Sequence, residues 1–452
     1  MSKTPHFPDV GKIGVELHKI AKRVLSLSRN VPLTVRIQKK EGLLARYSHQ
    51  GIHQNTFQDL FTYCLERPAG DGFLMEESSD TSHAGIRGAV ERLLSRGDAC
   101  VAPTMPPPHS QHYRPIKDWF PFDLKKAAGM AEAAIGKTIS RLREIKASAH
   151  GYYSAYQRHF FVANSAGLRA HHAMTAVRFA VTVSKGVGKG YAAFFSPDPR
   201  RLQTQAVFDA AFAQAEATSR KEIRLESGEY DCVFSPRALL EFLSSLSKHF
   251  DAKLYHDGRS ALSGRRPGQL LFSKAVSLED NAYLAGQSGI PFDAEGSPRK
   301  RVSLVTRGRL AGLLAGSGLS CACHKQPTGH TARGILEEEI VPQNLVMPAG
   351  NRPLAAILKS IKRGVFINKI WYHQIVHEKG LVVTGTATAG TCLIENGKVA
   401  GCAVRVRYHD SLLRVLQEVV ELSRERGLIK DGEYGAALLP YLRSRRLRLE
   451  PA

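Results

Sequence analysis

Gly289-Ile290-Pro291-Phe292-Asp293-Ala294-Glu295-Gly296 and, a hundred residues on, Ile394-Glu395-Asn396-Gly397-Lys398 are the stretches on which the fold is decided. The first is a Pro/Asp/Gly turn that feeds the alternating run Arg301-Val302-Ser303-Leu304-Val305. The second sets an Asn-Gly pair between two strand-like runs, the strongest short signal for a hairpin. Both read as architectural punctuation between short strands, so the second half of the chain is expected to be β-rich.

Outward from there, Asp231 to Phe234 reads as a strand and Pro236 to Phe250 as a helix, with Pro in the first turn, where its missing N–H is not needed. After the β region, Asp410 or Ser411 caps a helix striped by Leu412, Leu413, Val415, Leu416, Val419 and Val420, with Gly427 closing it. Upstream, apolar residues from Val10 to Leu25 fall at helical spacing and Leu33 to Ile37 at strand spacing. Ser82 to Arg96 and Asp123 to Ala149 read as helices, His159 to Asn164 and Ala173 to Ser184 as strands, and Leu202 to Thr218 as an alanine-rich helix. Met105-Pro106-Pro107-Pro108 marks a linker. The expectation is an α+β chain: an N-terminal helix/strand subdomain over 1–105, a central helix/strand segment over 106–225, and a β-rich C-terminal domain with flanking helices over 226–452.

The 452 residues are 43% hydrophobic and 23% charged, as in a globular protein, and no apolar run reaches the roughly 18 to 20 residues of a membrane span. No apolar signal segment follows Met1, and the 7 cysteines are scattered and odd in number, so reduced thiols and a cytoplasmic location are expected. The net charge of +22 offers a footprint for an acidic partner or for nucleic acid, although basic residues are spread along the chain. The densest cluster, Arg443-Ser444-Arg445-Arg446-Leu447-Arg448, reads as a frayed, solvated tail.

Four segments, in order, resemble the TldD/PmbA peptidase family: Val162 to Gly167; Gly228 to Pro236 leading into a helix; Asp257-Gly258-Arg259-Ser260 with the Pro291 to Gly296 turn and Pro327-Thr328-Gly329; and Thr384-Gly385 followed by Ile394 to Lys398. Ile367 to Tyr372, running on to Arg405 to Ser411, is similar to one PmbA-like branch of that family. What the resemblance implies is a cytosolic peptide-cleaving complex, in which a TldD subunit carries zinc on an HExxxH helix beside a TldE (PmbA) subunit that lacks it. In such a helix the two imidazoles present one face to the metal, and the carboxylate polarises the metal-bound water. Here the matching helix, Arg237 to Leu246, has no histidine, and none follows until His249. The resemblance therefore points to a TldE-like subunit with no zinc or other cofactor of its own. Its implied partners are a zinc-bearing TldD-like subunit or a second copy, and an unfolded peptide, with no membrane. Thr384 to Gly390 departs from the similar branch, which commonly has an Arg-Asp pair before the glycine.

No residue is assigned as catalytic, cofactor-binding or metal-binding, and the rival sites read as structure. His373 and His377 are four apart, but in a strand that spans about 13 Å, too far for one metal. Cys321, Cys323, His324 and His330 have the right chemistry for zinc but lack the common two-residue loop between thiolates. His171-His172 point to opposite faces of a strand. Lys185-Gly186-Val187-Gly188-Lys189-Gly190 lacks the Lys-Ser/Thr end of a phosphate loop and reads as a hairpin, and Gly286-Gln287-Ser288-Gly289 lacks nucleophile-elbow spacing. Trp371-Tyr372 reads as half core. Two other functions stay open: a basic nucleic-acid-binding or adaptor protein, and a self-sufficient metallopeptidase built on the cysteine cluster.

Overall fold

The computed structural model describes residues 11–28, 30–69, 72–96, 109, 111–219, 221–316, 326–333, 338–403, 406–430 and 435–451. The Met105 to Pro108 linker and Cys321, Cys323 and His324 lie outside them. The chain begins with helix α1 (Gly11–Ser26), strands β1 (Thr34–Ser48), β2 (Gly51–Ala69) and β3 (Gly72–Ser78), then α2 (His83–Ser95) and α3 (Leu124–Glu144). Strands β4 (Ser148–Asn164), β5 (Arg169–Lys185) and β6 (Gly188–Ser196) and helix α4 (Thr204–Ala217) complete this half. Ser82 caps α2 by accepting from the Gly85 N–H at 3.0 Å, and Asp123 caps α3 in the same way. The third helix stops sooner than its composition suggested, with Lys146 at φ 51, and Ser148 already belongs to β4.

These strands form one antiparallel sheet in the order β3-β2-β1-β4-β5-β6, drawing on both the 1–105 and the 106–225 segments. Side chains alternate between its faces. Odd positions such as Val35, Ile37, Tyr47, Tyr153, Phe161 and Phe179 pack beneath all four helices. Even positions face the other way, where Phe160, Val162 and Met174 meet Ile290 and Phe292. The 289–296 stretch is therefore more than a turn. It is buried against the sheet, with Asp293 Oδ1 accepting from the N–H groups of Glu295 and Ser297, and Gly296 at φ 82.

The second half runs through β7 (Glu222–Ile223), β8 (Gly228–Phe234), α5 (Pro236–Ser247), α6 (Ala252–His256), β9 (Leu278–Asp280), β10 (Val302–Thr306), β11 (Arg309–Leu310), β12 (Thr331–Arg333), β13 (Glu338–Ile340) and β14 (Leu345–Val346). Then come α7 (Leu354–Lys359), β15 (Arg363–Ile367), β16 (Ile370–His377), β17 (Val382–Ala387), β18 (Cys392–Glu395), β19 (Lys398–Ala403), β20 (Val406–Ser411), α8 (Leu412–Gln417), β21 (Val419–Ile429) and β22 (Ala437–Pro451). Asn396 and Gly397, at φ 50 and 75, turn β18 into β19 as the Asn-Gly pair requires.

Two expectations are corrected here. The capped helix after Ser411 ends at Gln417, and Val419 to Ile429 is a strand whose Gly427 pairs with Leu439 rather than closing a helix. The Arg443 to Arg448 cluster is no tail, because β22 is the hub of the large sheet. It pairs with β8, β14, β20 and β21, which bury Ser444 and Leu447 completely. Strand pairing on both edges, with apolar cover, outweighs the charge of its exposed residues.

Candidate functional site

A cleft of about 1190 Å³ opens where the two halves meet, above the roughly 300 to 1,000 Å³ range of small-molecule pockets. Six consecutive residues of β6, Tyr191 to Ser196, line one wall, and Gly427 to Lys430 at the end of β21 line another. Because neighbouring strand residues point to opposite faces, a run of consecutive lining residues means that the strand edge borders the cleft. β6 is terminal in its sheet, bonded only to β5, while β21 pairs with β22 and is bonded on its other side at Ser423 and Arg424, by the backbone of Gly350 and Arg352, away from the Gly427 to Lys430 end that borders the cleft. In an antiparallel ladder every second residue turns its N–H and C=O outward. Tyr191 is such a residue: its N–H donates to Gln214 Oε1 at 3.0 Å and its carbonyl accepts from Asn368 Nδ2 at 3.0 Å. Ala193 and Phe195 share that parity, and their outward groups meet no hydrogen-bond partner among the described residues.

The walls are fixed by polar joints. Asn368 also donates to Gln214 Oε1 and to the Ala389 carbonyl, while its own carbonyl accepts from Ser235 Oγ, the cap of α5. Arg178 Nη2 donates to the Lys430 carbonyl at 2.6 Å, and Lys430 Nζ lies 5.3 Å from the Phe195 ring centre. Beneath, Asp118 and His172 are both buried beside the Gly289 backbone, with Asp118 Oδ2 and His172 Nε2 meeting no hydrogen-bond partner among the described residues. Burial raises Asp118 to about 6 against the pull of Lys430 and of the Gly289 backbone, and burial lowers His172 to about 3.

The inward face of α5 holds a second constellation. Ser245 Oγ lies 2.7 Å from His373 Nε2, and His373 Nδ1 lies 2.5 Å from the Tyr408 hydroxyl. Burial lowers His373 to about 4, so the ring is neutral, one nitrogen donating and the other accepting. Gly385 leaves room for Tyr408: a Cβ there would fall inside its hydroxyl and 2.6 Å from the Tyr372 carbonyl oxygen. Sequence reasoning missed this triad, whose members are 128 and 35 residues apart with no motif joining them.

A zinc ion does not fit these residues. Both ring nitrogens of His373 are occupied, and the α5 position facing it is a serine. His249, two residues beyond the helix, accepts from the Ala261 N–H through Nδ1, with Glu378 3.4 Å from Nε2, and burial lowers its pKa. Among the described residues no three His, Cys, Asp or Glu side chains gather as a metal would need.

His377 is on the same strand as His373, exposed, and accepts from the Gly380 N–H. His330 is completely buried, bonding Asp280 through Nε2 at 2.9 Å and Thr328 through Nδ1 at 3.0 Å, which leaves no ring nitrogen for a metal. Burial opposes the Asp280 charge, but Arg299 and His330 outweigh it and hold the carboxyl far below its usual range. His171 meets His159 at 3.2 Å, while its neighbour His172 faces the other half of the chain. The 185–190 segment is the β5–β6 hairpin. Trp371 and Tyr372 are not half core; they are 67% and 56% exposed, because Tyr372, at φ 59, sits at a bulge in the edge strand β16.

A model of the PmbA/TldA metallopeptidase C-terminal domain matches residues 227–450, which include α5, Asn368, His373, Tyr408 and β21. The chain belongs to the TldD/PmbA family. Its fold is that of TldE from Thermococcus kodakarensis, with a TM-score of 0.80 at 18% identity over 96% of this chain and 99% of that one. A protein described as a modulator of a DNA gyrase, from Thermotoga maritima, gives a TM-score of 0.81 at 17% identity over 96% of this chain and 100% of that one. A curated relative named metalloprotease, from Methanothermobacter thermautotrophicus, is 25% identical over 210 residues, covering 45% of this chain and 46% of its own length. The match thus spans about half of that relative. No helix among the described residues is long and apolar enough to cross a membrane.

Proposed function

We propose that the chain is a TldE-like subunit of a two-subunit peptidase of TldD/TldE type, in which it binds no zinc and helps to enclose an unfolded peptide that a zinc-bearing partner cleaves. Family membership supports the peptidase setting, and the α5 face, with Ser245 opposite a doubly bonded His373, supports the metal-free role. The observation that carries peptide capture is the pair of sheet edges lining one cleft. An extended segment laid along β6 finds the outward N–H and C=O groups of Ala193 and Phe195, and strand addition binds backbone without regard to sequence. A cytoplasmic setting belongs to the same reading.

The test is to purify the chain alone and together with a TldD-like protein from the same source, measuring mass, zinc content and peptide cleavage. The chain alone should be inert, and the pair should form a zinc-containing complex whose activity a chelator removes. Chelator-sensitive cleavage by the chain alone would overturn the assignment. Capture is tested separately with a peptide N-methylated on alternate amides, which should bind far more weakly than its parent; equal binding would argue against strand addition.

A further inference from the structure

The cleft is strongly one-sided in charge. Six cationic side chains line it, Lys117, Arg178, Arg200, Arg201, Arg237 and Lys430, against the single carboxylate of Asp198, a formal +6 − 1 = +5. Asp198 is spent on Arg200, with bonds of 2.8 and 2.9 Å. Arg237 lies 3.6 Å from Glu241, and Lys430 is buried near Asp118. Lys117 and Arg201 are exposed on the cleft wall, and neither has a carboxylate within salt-bridge distance among the described residues. Cations gathered in a concave, low-dielectric groove raise the local concentration of anions well above that in bulk solution.

We propose that this cleft selects extended peptide segments carrying acidic side chains, with Lys117 and Arg201 as the principal charge readers. The inference rests on the strand-capture reading and adds the substrate class to it. The unpaired N–H and C=O edge of β6 favours a peptide over a nucleic acid, since a peptide backbone continues the ladder and a phosphodiester backbone does not. An alternating acidic peptide presents a carboxylate at every second residue, about 6.6 Å apart, while its backbone faces β6.

The experiment uses the full chain and three fluorescent decapeptides of alternating Thr-Glu, Thr-Gln and Thr-Lys, titrated by anisotropy at low and high salt. The Thr-Glu peptide should bind about five- to tenfold more tightly than Thr-Gln at low salt, an advantage that shrinks as salt screens it. The double variant K117Q/R201Q should lose that advantage while still binding Thr-Gln as before, and should unfold at the same temperature because both side chains are exposed. Equal binding of Thr-Glu and Thr-Gln would overturn charge selection and leave strand capture standing. Failure of all three peptides would remove capture and this inference together. An oligothymidylate of equal charge that outcompetes the Thr-Glu peptide would overturn it in favour of nucleic acid.

Discussion

Gly385 is small because Tyr408 needs the space, and Tyr408 is held where it can bond His373. Gly385→Ala should push the hydroxyl away and destabilise the protein by about 1–3 kcal/mol in urea unfolding, the usual cost of overpacking. It should also move the His373 titration, followed by NMR, upward from about 4 as the ring gains access to water. Tyr408→Phe leaves the space filled but strands one ring nitrogen, at a cost of about 1–3 kcal/mol. If both variants match the parent in stability and His373 titration, the triad has no structural role. None of this was legible in the sequence. Thr384-Gly385 stood out only through its likeness to a family segment and the departure of Thr384 to Gly390 from one branch, and a contact between Ser245 and His373 depends on how β16 docks on α5. His330 is the opposite case: its type suggested metal, but its ring serves Asp280 in a buried network that local spacing cannot reveal.

Among the elements, β22 departs furthest from its sequence reading. Its basic run looked like a solvated tail because charge and position were the only guides, whereas of its partners, β8, β14, β20 and β21, the first lies more than two hundred residues away. Arg443 shows how the charge is accommodated: it bonds Asp231 at 2.6 Å and Glu421 at 2.8 Å, with only 13% of its side chain exposed. Arg443→Ala should cost about 2–4 kcal/mol, since it strips the half-buried Asp231 carboxylate of its cation and leaves Glu421 with Arg352 alone. Urea unfolding measures that cost, and a loss below about 0.5 kcal/mol would make the pairs merely superficial. The strand after Gln417 was misread for a related reason. Leu412 to Val420 fits a helical stripe, but the β-branched pair Val419-Val420 opens a strand once β22 is present to bond it. Hairpins were readable because their signal is local: Asn396, Gly397 and Gly186 carry the positive φ that their turns demand.

Across the whole molecule, buried histidines set a common response to acid. Burial lowers His159, His171 and His373 to about 4 and His172 to about 3, all below the ordinary 6.5. For a base lowered on folding, the unfolded chain binds more protons between the two values, so stability is full above about 6.5 and falls as pH drops toward 4. Asp118 works the other way. Raised to about 6 by burial, it holds its proton in the folded state, so its contribution improves as pH falls from about 6 toward 4. Asp293, raised to about 7 by burial and the nearby Glu295 charge, and Asp251, also raised by burial, act in the same direction as Asp118, and the four strongly lowered histidines outweigh these carboxyls to give a net loss. His159 and His171, 3.2 Å apart, titrate as a pair, so their losses are not simply additive. The unfolding temperature should therefore fall steadily between pH 7 and pH 5 in calorimetry, and His172→Gln should flatten that slope by removing the most strongly lowered ring. Asp118→Asn should raise the unfolding temperature at pH 8 and do little at pH 4, where the native carboxyl is already protonated. A profile flat from pH 7 to pH 5, or an Asp118→Asn gain that is greater in acid, would contradict this account.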